Sequence, residues 1–215
     1  MRKLLIASIT SLFFSASAFA EEIKIGIILG FTGPIESLTP AMAQGAEAAI
    51  AEVSASGALL SGSTVTAVRA DSTCIDSAVA SANAEKLITS DKVNGIMGAD
   101  CSGVTGAILA NVAMANGMVM ISPSATSPGL TTLDDKGYFF RTAPSDARGG
   151  EVLADITSDR GISSVAITYV NTDYGVGLAD VYEAAAIARG IEVTAKTAHE
   201  GDKACLLYTS PSPRD

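Results

Sequence analysis

Tryptophan is absent from the 215 residues, histidine occurs once, cysteine three times, and aromatic residues make up only 5% of the chain. One imidazole cannot furnish a histidine-rich metal centre, and three cysteines cannot staple a disulfide scaffold. Charge is also sparse, at 17%, and acidic residues outnumber basic ones by 23 to 14 for a formal net charge of −9. A phosphate backbone would be repelled, and no basic stripe interleaved with aromatics exists to overcome the repulsion, so nucleic acid is not an expected partner. What is present is 48% hydrophobic residues and 20 glycines. That is too apolar for a disordered tail and suits one domain, or two small ones, with a small uncharged or zwitterionic ligand.

The two ends read differently from the rest. Residues 1–20 open with Arg2 and Lys3, run apolar from Leu4 to Phe14 and finish in Ala18-Phe19-Ala20, the pattern of a secretory signal with an A-x-A cleavage site. The run is apolar all round, unlike an amphipathic buried helix. Cleavage after Ala20 is expected to leave a protein that is soluble in an exported compartment, with no direct membrane insertion. At the other end, the run from Cys205 to Asp215, CLLYTSPSPRD, breaks from the Ala/Gly/Val-rich style before it. It is similar to the conceptual translation of a transposase-type sequencing adapter, and is set aside from fold reasoning together with Cys205.

Between these ends the pattern is alternating strand and helix. Ile23 to Leu29 is a β-branched run closed by Gly30; Thr39-Pro40 reads as an N-cap and first helical residue, followed by Met42, Ala46, Ala49, Ile50 and Val53 at helical spacing up to Gly57. Strands are expected at 63–70, 95–98, 118–122 and 138–141, with helices at 76–89 and 102–115. The turn-rich Thr142-Ala143-Pro144-Ser145-Asp146 then precedes a restart, with helices at 146–160 and 175–189 and strands at 164–170 and 191–196. Such alternation implies α/β lobes with parallel sheets. A first lobe is placed at 21–143 and the start of a second at 144–204.

In an open α/β sheet, ligands lie beyond the carboxyl ends of the strands. The segments found there are Gly30 to Pro34, Asp71 to Cys74, Ala99 to Gly103 and Ser122 to Pro128. Ser102 sits where a helix begins, and the unpaired first-turn N–H groups favour a bound carboxylate. Ser124 to Thr126 offers further hydroxyl and backbone donors. An equally good reading makes Ser102 only an N-cap and the Ser/Pro segment only a turn. Cys74 and Cys101 follow strands expected to be adjacent, so an exported setting suggests a disulfide, worth roughly 3.5 kcal/mol by loop-closure entropy. A metal site competes poorly, because His199 is the single histidine and there is no C-x-x-C.

Successive blocks, IKIGIILGFTGP, AMAQGAEAAIAEVSASG, DSTCIDSAVASANAEKLI, CSGVTGAI, MVMISPSATSPGLT, FFRTAPSD and VNTDYGVGLAD, resemble the periplasmic leucine/isoleucine/valine-binding proteins, colinearly over residues 23–204. That resemblance implies a type I periplasmic-binding fold of two α/β lobes, incomplete in this chain, that close on an amino acid as the substrate-binding part of an ABC importer. It assigns the ligand carboxylate to Ser102, backbone and hydroxyl contacts to Ser124, Ala125 and Thr126, and a second-lobe contact to Tyr174. It also matches the family's paired cysteines to Cys74 and Cys101. A membrane permease and an ATPase are the implied partners, and no cofactor, metal or catalysis is implied. Two departures stand out. The acid that family members set against the ligand ammonium falls beyond Ala204, and the loop after the first strand offers Ile35 to Leu38 where many relatives carry an aromatic.

Other readings fit the residues less well. Gly26, Gly30 and Gly33 are spaced G-x3-G-x2-G rather than G-x-G-x-x-G, and Asp71 lies about 40 residues on, not the roughly 20 of a ribose-binding acid. There is no G-x-S-x-G nucleophile elbow for a hydrolase. A competing reading, weaker than the ligand contact, makes Tyr174 an aromatic covering the second-lobe core. A ligand-sensing module of a signalling system shares the fold, and amides or small aromatic acids are alternative ligands. Resequencing the genomic locus is expected to show that residues 205–215 are not encoded there; a natural reading frame for these eleven residues would refute the adapter assignment.

Overall fold

The computed structural model describes residues 21–60 and 62–201. The secretory signal at 1–20 and the adapter-like run at 205–215, Cys205 included, lie outside the described residues. The elements alternate as the sequence pattern implies: β1 (Glu22–Leu29), α1 (Thr39–Ala55), β2 (Thr64–Asp71), α2 (Ser77–Thr89), β3 (Gly95–Gly98), α3 (Ser102–Ile108), a π-helical turn (Leu109–Ala113), α4 (Met114–Asn116), β4 (Met120–Ser122), α5 (Gly129–Thr132) and β5 (Phe139–Arg141). After residues 142–145 come α6 (Asp146–Asp159), β6 (Ser164–Val170), α7 (Asp173–Ala188) and β7 (Glu192–His199).

The first sheet is parallel throughout, in the order β2-β1-β3-β4-β5, and the second pairs β6 with β7, also in parallel. Order reverses beside β1: the chain steps outward to β2 and returns to the other side as β3. A crevice opens at such a switch point, because the loops leaving β1 and β3 diverge to opposite faces.

The central strand β1 is rich in isoleucine because both of its faces are covered by helices. One face of the sheet, carrying Ile28, Ile96, Met120 and Phe139, is sealed by Ala80, Ala84 and Leu87 of α2 and by Val104 and Ile108 of α3. The other face carries Ile27 and Leu29, which pack against Ala43, Met42, Ala46 and Ile50 of α1. Further along that face the cover runs out: Ile121 and its register partner Phe140 are 45% and 53% exposed.

Local chemistry sets the helix starts. Asp76 caps α2 by accepting from Ala78 N at 2.9 Å and Val79 N at 3.0 Å. Ser145 caps α6 and Thr172 caps α7 in the same manner. Four expectations shift. Thr39 is not the N-cap of α1; it is the first helical residue, and its buried hydroxyl donates to Gly30 O at 3.1 Å. Ala49 and Val53 consequently face solvent. The helix expected over 102–115 carries the π turn at its centre. Thr172 starts α7 at Asp173, so Tyr174 and Gly175 lie inside its first turn. The last strand extends to His199.

Cys74 and Cys101 are joined, with Cα atoms 5.2 Å apart. The strands they follow, β2 and β3, are not adjacent as expected, since β1 lies between them. The bridge therefore passes over the end of β1, reached by a chain reversal in which Thr73 and Cys74 adopt φ of 57° and 69°. Gly30 lies beneath it: a Cβ there would stand 3.2 Å from Cys74 Cβ and 3.4 Å from Asp100 Oδ2. In the unreduced, denatured chain ending before Cys205, a thiol assay is expected to find no free cysteine. Replacing both bridged residues by serine should cost roughly 3.5 kcal/mol in denaturant unfolding. Two reactive thiols before reduction would rule the bridge out.

Candidate functional site

The loops that leave β1, β2, β3 and β4 converge at one sheet edge, and Asp100 holds them together. Its side chain is buried, with 2% exposure. Oδ2 accepts from Gly30 N at 2.8 Å, and Oδ1 accepts from Ser72 Oγ at 3.1 Å and Cys101 N at 3.0 Å. Its carbonyl accepts from Ser124 Oγ at 3.0 Å. A carboxylate can be buried only when its lone pairs are met, and here donors from three loops meet them. The sequence reading included Asp100 in its loop without giving it a role. The available signal was an acid wedged between a strand end and a helix start.

Asp71, at the end of β2, makes the second tie. Its carboxylate accepts from Thr32 Oγ1, from Thr32 N at 3.3 Å and from Thr73 N at 2.9 Å. Burial alone would raise this carboxyl, but the Thr32 hydroxyl and the surrounding amides outweigh it and hold Asp71 below the usual carboxylate range. The stability this adds is complete above the unfolded-state value of about 4 and is lost as pH falls through the lower folded value.

Ser102 opens α3. Cys101, with φ −92° and ψ 136°, occupies the N-cap position, so the reading of Ser102 as the cap does not hold. The Ser102 hydroxyl, 3% exposed at the residue level, accepts from Ser127 N at 3.1 Å. Its own proton has no acceptor among the described residues. The unpaired amides of the helix's first turn start at the same point.

The segment after β4 is more than a turn. The Ser122 hydroxyl donates to Ala99 O and accepts from Ala125 N at 2.9 Å and Ser124 N at 3.4 Å. The carbonyls point back into the protein: Ser122 O accepts from Thr142 N and Thr126 O from Asp146 N, each at 3.0 Å, and the Arg141 guanidinium takes those of Ala125 and Ser127. Ala125, with a fully buried side chain and both backbone groups engaged, contributes shape. Among the described residues three groups of Ser124–Thr126 stay uncommitted: the Ser124 carbonyl, the Thr126 N–H and the Thr126 hydroxyl.

Ser102, Ser124, Ala125 and Thr126 are thus brought together, whereas Tyr174 stands apart. It is 44% exposed and lines a groove of about 460 Å³ in its own lobe with Leu153, Val165–Val170, Leu178 and Tyr182. Another face of α7 turns to the first lobe. Asp173, Val176 and Gly177 share with Ser102, Ser127 and Pro128 a cavity of about 550 Å³. A Cβ at Gly177 would lie 2.9 Å from Pro128 Cδ, so the two lobes approach this closely only through glycine. Sequence reasoning missed Asp173, whose carboxylate faces Gly103 in the first turn of α3.

Comparison with known proteins bears on this arrangement. A family described as periplasmic binding protein matches residues 22–204. Leu/Ile/Val-binding protein homolog 3 of Brucella melitensis is 30% identical over 200 residues, covering 92% of this chain and 53% of that protein. A branched-chain amino acid transporter substrate-binding protein of Streptococcus pneumoniae, solved with isoleucine, superposes with a TM-score of 0.74 at 26% identity, over 88% of this chain and 53% of its own. A solute-binding protein of R. palustris solved with benzoate shares the fold, with a TM-score of 0.76 at 21% identity over 88% of this chain and 51% of its own. The chain spans about half the length of the curated relatives it matches.

Removing the Asp100 carboxylate leaves three buried donors without an acceptor. Asp100→Ala is therefore expected to lower unfolding free energy by roughly 3 kcal/mol, and Asp100→Asn by less, in denaturant titrations. An unchanged midpoint for Asp100→Ala would show that the loops do not depend on it.

Proposed function

The chain belongs to the periplasmic binding protein family, and on that premise we propose that it is the extracytoplasmic substrate-binding component of an ABC importer, capturing a branched-chain or related hydrophobic amino acid between two lobes. The observation that carries this reading is the Ser102 hydroxyl at the sheet's switch point, buried and, among the described residues, without an acceptor for its proton; it is bonded to the amide of Ser127, next in the chain to Thr126, whose amide and hydroxyl are likewise uncommitted there. An α-carboxylate meets the Ser102 O–H, the first-turn amides of α3 and the Thr126 donors; the Ser124 carbonyl faces the ammonium. Burying a zwitterion is tolerated only when both charges find such partners.

The first lobe, residues 21–143, binds first. The second, beginning at 144, closes by hinging through 142–145 and brings Tyr174 over the ligand. The Asp146 N to Thr126 O bond crosses that hinge at the binding loop itself. The role is capture without chemistry, followed by delivery to a membrane permease and its ATPase. The lone imidazole, His199, sits at the end of β7 with Nδ1 3.3 Å from the neighbouring Glu200 O. No helix among the described residues is long and apolar enough to cross a membrane, and the signal-like residues 1–20 fit export to the periplasm.

Names among the relatives support the ligand class: one is a Leu/Ile/Val-binding protein homolog, and one structure holds isoleucine. The benzoate-bound structure marks a second reading, because a carboxylate is the group that both ligand classes share. The Ser124 carbonyl separates an amino acid from benzoate, since benzoate has no donor to offer an accepting oxygen. Titration calorimetry of the protein encoded by the complete locus is expected to show L-leucine binding, weakened roughly tenfold by Ser102→Ala through loss of one charge-assisted hydrogen bond. Unchanged affinity rejects the assignment of Ser102. Heat with benzoate and none with L-leucine moves the protein to the second reading.

A further inference from the structure

Arg141 ends β5 directly opposite Ser122, with which it is in register, and stands at the start of the hinge. Among the described residues its guanidinium pairs with no carboxylate. Nη1 donates to the carbonyls of both Ala125, at 3.1 Å, and Ser127, at 2.9 Å, while Nη2 donates to Thr131 Oγ1. Those two carbonyls flank Thr126. A peptide unit is planar, so fixing the C=O of Ala125 also fixes the direction of the Thr126 N–H on the opposite side of the same unit. Fixing the C=O of Ser127 holds the far end of the loop, whose amide is already on Ser102.

We infer that Arg141 is a positioning residue for ligand recognition: by binding the carbonyls of Ala125 and Ser127 it aims the Thr126 amide into the crevice and couples that loop to the interlobe hinge. This rests on the reading of Ser102 and Thr126 as the carboxylate site. Two features set the role apart from general packing. The fork engages one loop at three points, a geometry that planar guanidinium offers and a lysine ammonium does not. The next residue, Thr142, donates from its backbone to Ser122 O at 3.0 Å, and Asp146 donates to Thr126 O. The carbonyls of Ser122, Ala125, Thr126 and Ser127 are therefore all held by the stretch from Arg141 to Asp146. Opening the hinge would pull on the same loop that meets the ligand, which is the physical requirement for binding and closure to be linked.

The test is a double-mutant cycle on the protein of the complete locus, with L-leucine as probe, using wild type, Arg141→Lys, a backbone ester at position 126 that replaces the Thr126 N–H by oxygen, and the pair. Each single change is expected to weaken binding roughly tenfold, and the pair little more than either alone, because both remove the same aimed donor. Binding by Arg141→Lys within twofold of wild type, or losses that multiply in the pair, would overturn the inference. Amide hydrogen exchange without ligand supplies the second readout. Faster exchange in Arg141→Lys confined to residues 122–131 supports the role, and unchanged exchange there overturns it. If wild type does not bind L-leucine, the functional reading fails by itself, and the exchange experiment still decides what Arg141 does to the loop.

Discussion

A buried carboxylate must be met by donors, and the Asp100 side chain is met by groups from three different loops. Much of the candidate site follows from that constraint. Gly30 N, Ser72 Oγ and Cys101 N are drawn to one point at the end of the sheet, which places the start of α3, and hence Ser102, beside the switch between β1 and β3. The Asp100 carbonyl then takes the Ser124 hydroxyl and adds the fourth loop. Apart from the Ser124 hydroxyl, which the family resemblance assigns to the ligand and which the Asp100 carbonyl takes here, these bonds use no group proposed to meet a ligand. The loops are therefore held by the protein's own bonds, which lowers the ordering cost of any binding between them.

The alternation of strand and helix was legible because it is local: β-branched runs, glycine stops and polar caps repeat at the spacing of β-α units. Boundaries were less so. Thr39 before Pro40 has the form of an N-cap, but a distant acceptor, Gly30 O, draws its hydroxyl inward instead. Gly175 looks like a helix opener, yet Thr172 caps the helix three residues earlier. The adjacency assigned to the two cysteine-bearing loops failed because strand order depends on which way each crossover turns, which residue patterns do not record.

The site divides in the same way. The rule that ligands lie beyond strand ends located Ser102 and Ser124–Thr126 without contacts. It could not separate Ser102 as a cap from Ser102 as a donor, because serine suits both; the extended backbone of Cys101 decides that. Asp100 and Arg141 were illegible for a shared reason. Their partners are backbone groups contributed by distant segments, and backbone groups leave no mark in the residue sequence. Tyr174 lies along the groove beside β6 rather than with Ser102 and Thr126, and nothing in the order of residues records which side of α7 faces which neighbour.

The disulfide's path over β1 bears on how the end of the sheet is held. A bridge between neighbouring strands would only reinforce their own pairing, but this one joins the loops that leave strands on either side of a third. Gly30, just past the end of β1, lies beneath it, too close to Cys74 for a larger side chain without displacement. The bridge thus acts as a strap across the central strand. While it is closed, the two flanking loops cannot part, and the floor of the crevice keeps its width.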